Sequence, residues 1–104
     1  MPNELDSLNA SVFSAHIHSR FNARIDASTS VPLTLESVDE RPTPPKFECF
    51  SLTFKGPESP QLDQALRELE HEVLGTFSLF LVPVGKEGAN ILYEAVFNRV
   101  RKQA

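Results

Sequence analysis

The sequence predicts a mainly β domain, a small antiparallel barrel or rolled sheet of about six strands with a short N-terminal helix. Three observations carry this expectation. Apolar and polar residues alternate with period two in several separate runs. Phenylalanine is frequent, with eight residues, and tryptophan is absent. Turn-forming residues punctuate the runs at short intervals.

Asn9 to Phe21 places Val12, Phe13, Ala15, Ile17 and Phe21 at mixed spacings. A short helix capped by Ser7 or Asn9 fits, and a period-two reading also fits. Phe21, Ala23 and Ile25 then alternate with Asn22, Arg24 and Asp26 as a half-buried strand, and 26–30 reads as a turn. Val31, Leu33 and Leu35 alternate with Thr34 and Glu36 in a second strand. The run 39–46, with three prolines in four residues, excludes helix and reads as an exposed connector.

Phe50, Leu52 and Phe54 share one face of a third strand, which Gly56 and Pro57 end. Gly75 to Val84 is apolar on both faces in its second half and reads as a central strand. Pro83 is expected at its end and Gly85 to Asn90 as the following turn. Ile91 to Val100 forms the last strand, with Tyr93, Ala95 and Phe97 opposing Leu92, Glu94 and Val96. The expected core is Phe50, Leu52, Phe54, Leu79, Leu81, Tyr93, Ala95 and Phe97.

The segment 59–75 has helix grammar. Ser59 is a potential cap and Pro60 suits a first turn. Leu62, Leu66, Leu69 and Val73 recur at helical spacing, and Gly75 is a natural stop.

With 104 residues, 40% apolar and 23% charged, the chain suits a single globular domain, 1–104. The net charge is −4, and the only basic cluster is Arg99, Arg101 and Lys102. That is no cationic stripe for phosphate, so no nucleic-acid partner is expected. Phe77 to Val84 is too short to span a bilayer, so no membrane partner is expected either. The start lacks a basic region followed by an apolar one, so no signal peptide is expected. Cys49 stands alone, which excludes an intrachain disulfide and suits a reducing cytoplasm.

No residue set points to catalysis, a metal or a cofactor. His16 and His18 would face one way on a strand and so offer two ligands, but no third has suitable spacing. Glu70, His71 and Glu72 pair carboxylate with imidazole, as general acid–base chemistry requires. Adjacent residues on a strand point to opposite faces, so the plainer role for Glu70 and His71 is bonding the backbone of the turn at Leu74 and Gly75. Cys49 lacks a neighbouring base, and Ser51 and Ser78 lack a nucleophile-elbow setting. Glu94 and Asn98 are polar positions in an apolar strand. They would anchor a ligand if they faced inward and mean little if they face solvent. Glu70, His71, Glu94 and Asn98 are therefore the candidate polar site.

Four blocks carry a family resemblance: Phe50-Ser-Leu-Thr-Phe-Lys-Gly-Pro57, Leu69-Glu-His71 with Leu74-Gly75, Leu79-Phe-Leu-Val-Pro-Val-Gly85, and Tyr93-Glu-Ala-Val-Phe-Asn98. In this order they resemble a family of small bacterial proteins known as a domain of unknown function. The resemblance is close from Phe50 to Asn98 and loose before that. It implies that Leu66 to His71 pairs with Phe77 to Val82 as a β-hairpin. The chain departs from the pattern at Leu66, in the region where tyrosine is usual, and at Glu72, where proline is usual. Helix and hairpin both stay open. The resemblance also implies genomic proximity to phage-tail-like or collar-type fibre proteins. The expected function is a non-enzymatic protein-binding or assembly module, an accessory or chaperone to a fibre-like partner. The alternative is a small-molecule-binding barrel. A strand edge is the expected contact, at Phe21 to Asp26 or Ile91 to Val100.

Overall fold

The computed structural model describes residues 9–42, 44, 47–58 and 62–100, with the side chains of 99 and 100 left aside. Its elements are α1 (Ala10–Ser14), β1 (Arg20–Arg24), β2 (Ser30–Glu40), β3 (Phe47–Pro57), β4 (Ala65–His71), β5 (Gly75–Glu87) and β6 (Asn90–Val100). All strand pairs are antiparallel, and the sheet closes into a ring in the order β1-β2-β3-β6-β5-β4. The expected fold class and short helix are both present.

Helix α1 starts where the sequence allows it. The Asn9 side chain accepts the Val12 N–H at 3.0 Å, satisfying a donor with no intrahelical partner. The helix delivers Phe13 into the ring. The Phe13 ring lies 5.7–6.5 Å from the rings of Phe21, Phe50, Phe77 and Phe97, so one side chain packs against β1, β3, β5 and β6.

Every residue of the expected core is buried, joined by Phe21, Leu33, Leu35, Leu69 and Phe77. Phe50 and Phe97, paired across β3 and β6, stack at 4.5 Å with ring planes 7° apart. Gly56 is buried where β3 passes β2. A Cβ there would lie 2.4 Å from Leu33 Cδ2, so any larger residue would force the buried Leu33 side chain to shift.

Two irregularities lengthen strands beyond the expected bounds. Between Leu35 and Ser37 the β2–β3 register shifts, so inward parity passes from Leu35 to Val38 and β2 runs on to Glu40. The second shift, between Pro83 and Gly85, corrects two expectations. Pro83 lies inside β5 rather than at its end, because an interrupted ladder tolerates a residue without an N–H. Gly85 to Glu87 continue the strand, and the turn narrows to Gly88 and Ala89, with Gly88 at φ +60. A positive φ at the first of two loop residues is the hairpin geometry glycine favours.

Segment 65–81 is the implied hairpin and not a helix. Ala65 pairs with Leu81, and the register runs through to His71 opposite Gly75. Ser59 and Pro60, the start of the helical reading, lie outside the described residues, as do Ser7, Lys46 and the basic cluster's Arg101 and Lys102.

Neither terminal strand is open along its whole length, although β6 pairs with β5 only from Asn90 to Glu94 and with β3 alone beyond it. β1 lies between β2 and β4, and β6 lies between β3 and β5. Closure rests on a short seam: β1 and β4 pair only at Asn22 with Glu70 and at Ala23 with Leu69.

Candidate functional site

The seam carries a group of side chains that sequence spacing does not bring together. Arg24 on β1 donates from Nε to Glu68 at 3.0 Å and from an Nη to Glu70 at 2.9 Å, both on β4. Its other Nη donates to the Ala27 carbonyl at 3.1 Å, tying the clamp to the β1–β2 turn. Asp26 holds that turn by accepting the Ser28 N–H at 2.9 Å, and this bond draws its carboxyl below the ordinary range.

His71 ends β4 and is 6% exposed. Its Nδ1 accepts two backbone donors of the β4–β5 turn, Val73 N–H at 3.0 Å and Leu74 N–H at 3.1 Å. Its Nε2 lies 2.9 Å from Ser19 Oγ, and that hydroxyl donates to the His16 carbonyl at 2.6 Å. This network fixes the tautomer. Nδ1 must be bare to accept, so Nε2 carries the proton and donates to Ser19. Burial and then the nearby His16 hold the imidazole below its ordinary pKa, with Glu72 pulling weakly the other way. The ring is flanked by Phe21 at 4.4 Å and His16 at 4.7 Å.

A serine 2.9 Å from a histidine has the spacing of a nucleophile and its base. The chemistry runs the wrong way here. A base must take the hydroxyl proton on a free nitrogen lone pair, and Nε2 already bears a proton while Nδ1 is engaged by the backbone. What the arrangement does is cap a turn and tether β1 to β4.

Beside His71 lies an open cleft of about 340 Å³, lined by Ser19, Arg20, Asn22, Glu70, His71 and Glu72. A second one, about 290 Å³, lies by Arg20, Thr34, Lys55 and Asn90. Its lysine is already 3.6 Å from Glu36 and 3.5 Å from Glu87.

Of the candidate residues, Glu70 and His71 meet at the seam. Glu94 and Asn98 do not join them. Both point to the outer face of β6, Glu94 half-buried opposite Thr53 and Val82, and Asn98 exposed opposite Cys49. His16 and His18 are not on a strand. They follow α1 in a turn, where His18 takes φ 74 and His16 packs on His71. Ser19 and Arg24 were missed. Their partners lie 44 to 52 residues away, and only the β1–β4 pairing makes them neighbours.

Among the described residues, no three His, Cys, Asp or Glu side chains gather as a metal site. No described helix is long and apolar enough to cross a membrane. No curated protein and no solved structure matches the chain. Residues 8–97, which take in the ring from β1 through Phe97 and the His71 cluster, match the family described as Domain of unknown function (DUF6916), and the chain belongs to that family.

Proposed function

We propose that this domain is a non-enzymatic protein-binding or assembly module that docks through the outer face of the β4–β5 hairpin. The observation that carries this reading is an exposed apolar pair. Leu66 and Phe80 face each other across the hairpin, 67% and 50% exposed. Val96, two residues past the last β5–β6 pair Val82–Glu94, adds 57% exposure on the adjoining strand. Adjacent outward apolar side chains of this size mark contact surfaces more often than isolated ones do.

The small-molecule alternative has less support. The inner face is filled by aromatic and aliphatic side chains, and the Tyr93 hydroxyl accepts the Leu62 N–H at 2.8 Å. A ring of about six strands leaves no further room inside. A fibre-type, phage-tail-like partner in a bacterial cytoplasm is the finer form of the proposal. Its support is the family resemblance and the lone Cys49.

The test compares the wild-type chain with Leu66→Ser/Phe80→Ser as bait in lysate of the native host. The double variant is expected to keep its cooperative unfolding and to lose the partners that the wild type retains in stoichiometric amount. Equal retention by both baits, or a small molecule co-purifying in place of any protein, would overturn the proposal.

A further inference from the structure

We infer that His71 is an acid-released latch on the ring's shortest seam: proton uptake at Nδ1 frees the β4–β5 turn and loosens β1 from β4. The inference is independent of the docking proposal and rests on what each ring nitrogen does.

Nδ1 is the acceptor for two backbone N–H groups at once, those of Val73 and Leu74. A proton on Nδ1 turns an acceptor into a donor that faces two donors. Both N–H groups then lose their partner, that of Leu74 at a buried residue and that of Val73 at an exposed one, so the cost falls on Leu74 and the turn must rearrange. The other nitrogen links this event to the seam. Nε2–H donates to Ser19, which immediately precedes β1 and is itself anchored on the His16 carbonyl. A ring that shifts to relieve Nδ1 gives up its bond to the Ser19 hydroxyl and leaves Ser19 tied to β2 and to the turn after α1, not to β4.

The seam gives the shift its consequence. β1 and β4 share only two residue pairs, so little backbone pairing opposes separation. Side-chain ties supplement it, and one of them is the Ser19–His71 bond. The other is the Arg24 clamp on Glu68 and Glu70, half-exposed and therefore weak on its own.

The charged and titratable groups around the imidazole set the sense of the response. His16, in the turn after α1, stacks edge-on against it, and its cationic form opposes a second positive charge. Arg20 on β1 lines the same cleft. Glu72 in the turn and Glu70 on β4 attract a proton. Glu70 is taken up by Arg24, which leaves Glu72 as the main attraction. Burial of the ring adds to the repulsion, so the neutral form is native and the release falls on the acid side of an ordinary histidine.

The test is amide hydrogen exchange on the whole chain between about pH 7.5 and about pH 5, where carboxylates other than strongly raised ones stay ionised. Nitrogen-15 spectra of the imidazoles follow His71 in parallel. At neutral pH the proton is expected on Nε2. As His71 titrates, exchange corrected for its intrinsic pH dependence should rise at 72–75 and 19–23 by about tenfold, the response to about 1.4 kcal/mol of lost local stability. The β3–β6 ladder should stay protected. His71→Asn places a non-titrating oxygen near Nδ1 and should abolish the change; His16→Gln should move its midpoint to higher pH. Should H71N not fold, the wild-type and H16Q titrations decide. A proton on Nδ1 at neutral pH would overturn the latch. So would unchanged exchange at 72–75 while His71 titrates, or an unaltered midpoint in H71N.

Discussion

Tyr93 shows how one side chain in this domain serves two purposes. Its ring fills the interior of β6 and is 1% exposed, while its hydroxyl accepts the Leu62 N–H at 2.8 Å where the chain enters β4. A buried N–H without a partner costs more than the bond it lost was worth, because the donor keeps its desolvation penalty. Tyr93→Phe preserves the packing and removes only the acceptor. It is expected to destabilise the domain by about 1–3 kcal/mol, read from the shift in a urea unfolding midpoint at unchanged slope. The sequence shows that Tyr93 faces inward, since it alternates with Leu92 and Glu94. It does not show the bond, which depends on where residue 62 arrives from the far side of the ring.

The β4–β5 hairpin is the element where local preference and tertiary context disagree. Leu62, Leu66, Leu69 and Val73 have the spacing of a helical stripe, yet Leu69 is buried while Leu66 and Val73 are 67% and 64% exposed. No single face unites them in the folded chain. β5 decides the outcome, offering a partner ladder from Gly75 to Leu81 and an inner face of Phe77, Leu79 and Leu81 that β4 completes. Helix propensity differences among such residues are a few tenths of a kcal/mol each, and burying one large apolar side chain outweighs several of them. The other strands were legible because their alternation is local. The bulges at Leu35/Ser37 and Pro83/Gly85 were not, because an inserted residue has no signature apart from its partner strand. The seam residues Ser19 and Arg24 were illegible for the same reason. The turn itself adds a prediction. Gly75 takes φ 84, where an L side chain is strained, so Gly75→Ala should cost about 1–2 kcal/mol in thermal or urea unfolding. Asn, which tolerates this region better, should recover part of the loss.

At the scale of the whole ring, stability should depend on pH in two separate steps. His71 is held below its ordinary value in the native state, chiefly by burial. In the unfolded chain it titrates near its ordinary pKa of about 6.5. Between those two values the unfolded state binds a proton that the native state refuses, so stability falls as pH falls through this window. Above about 6.5 the contribution is fully present and flat. Below the native pKa both states are protonated and the loss from His71 is complete. The second step lies lower. The Asp26 carboxyl is depressed by its bond from Ser28 N–H, so its contribution is present above the ordinary aspartate range and is lost as pH drops through that range toward the native value. Asp26 caps a solvent-facing turn, so its share of the second step is small and blends with the other carboxylates. The measurement is the urea midpoint of the wild-type chain from about pH 8 to about pH 3, a span that brackets both the imidazole and carboxylate ranges. Loss of stability is expected below the ordinary histidine pKa and further loss through the carboxylate range. His71→Asn should erase the upper step and leave the lower, and Asp26→Asn should act only on the lower. An upper step that survives in H71N would show that the turn His71 caps is not its source.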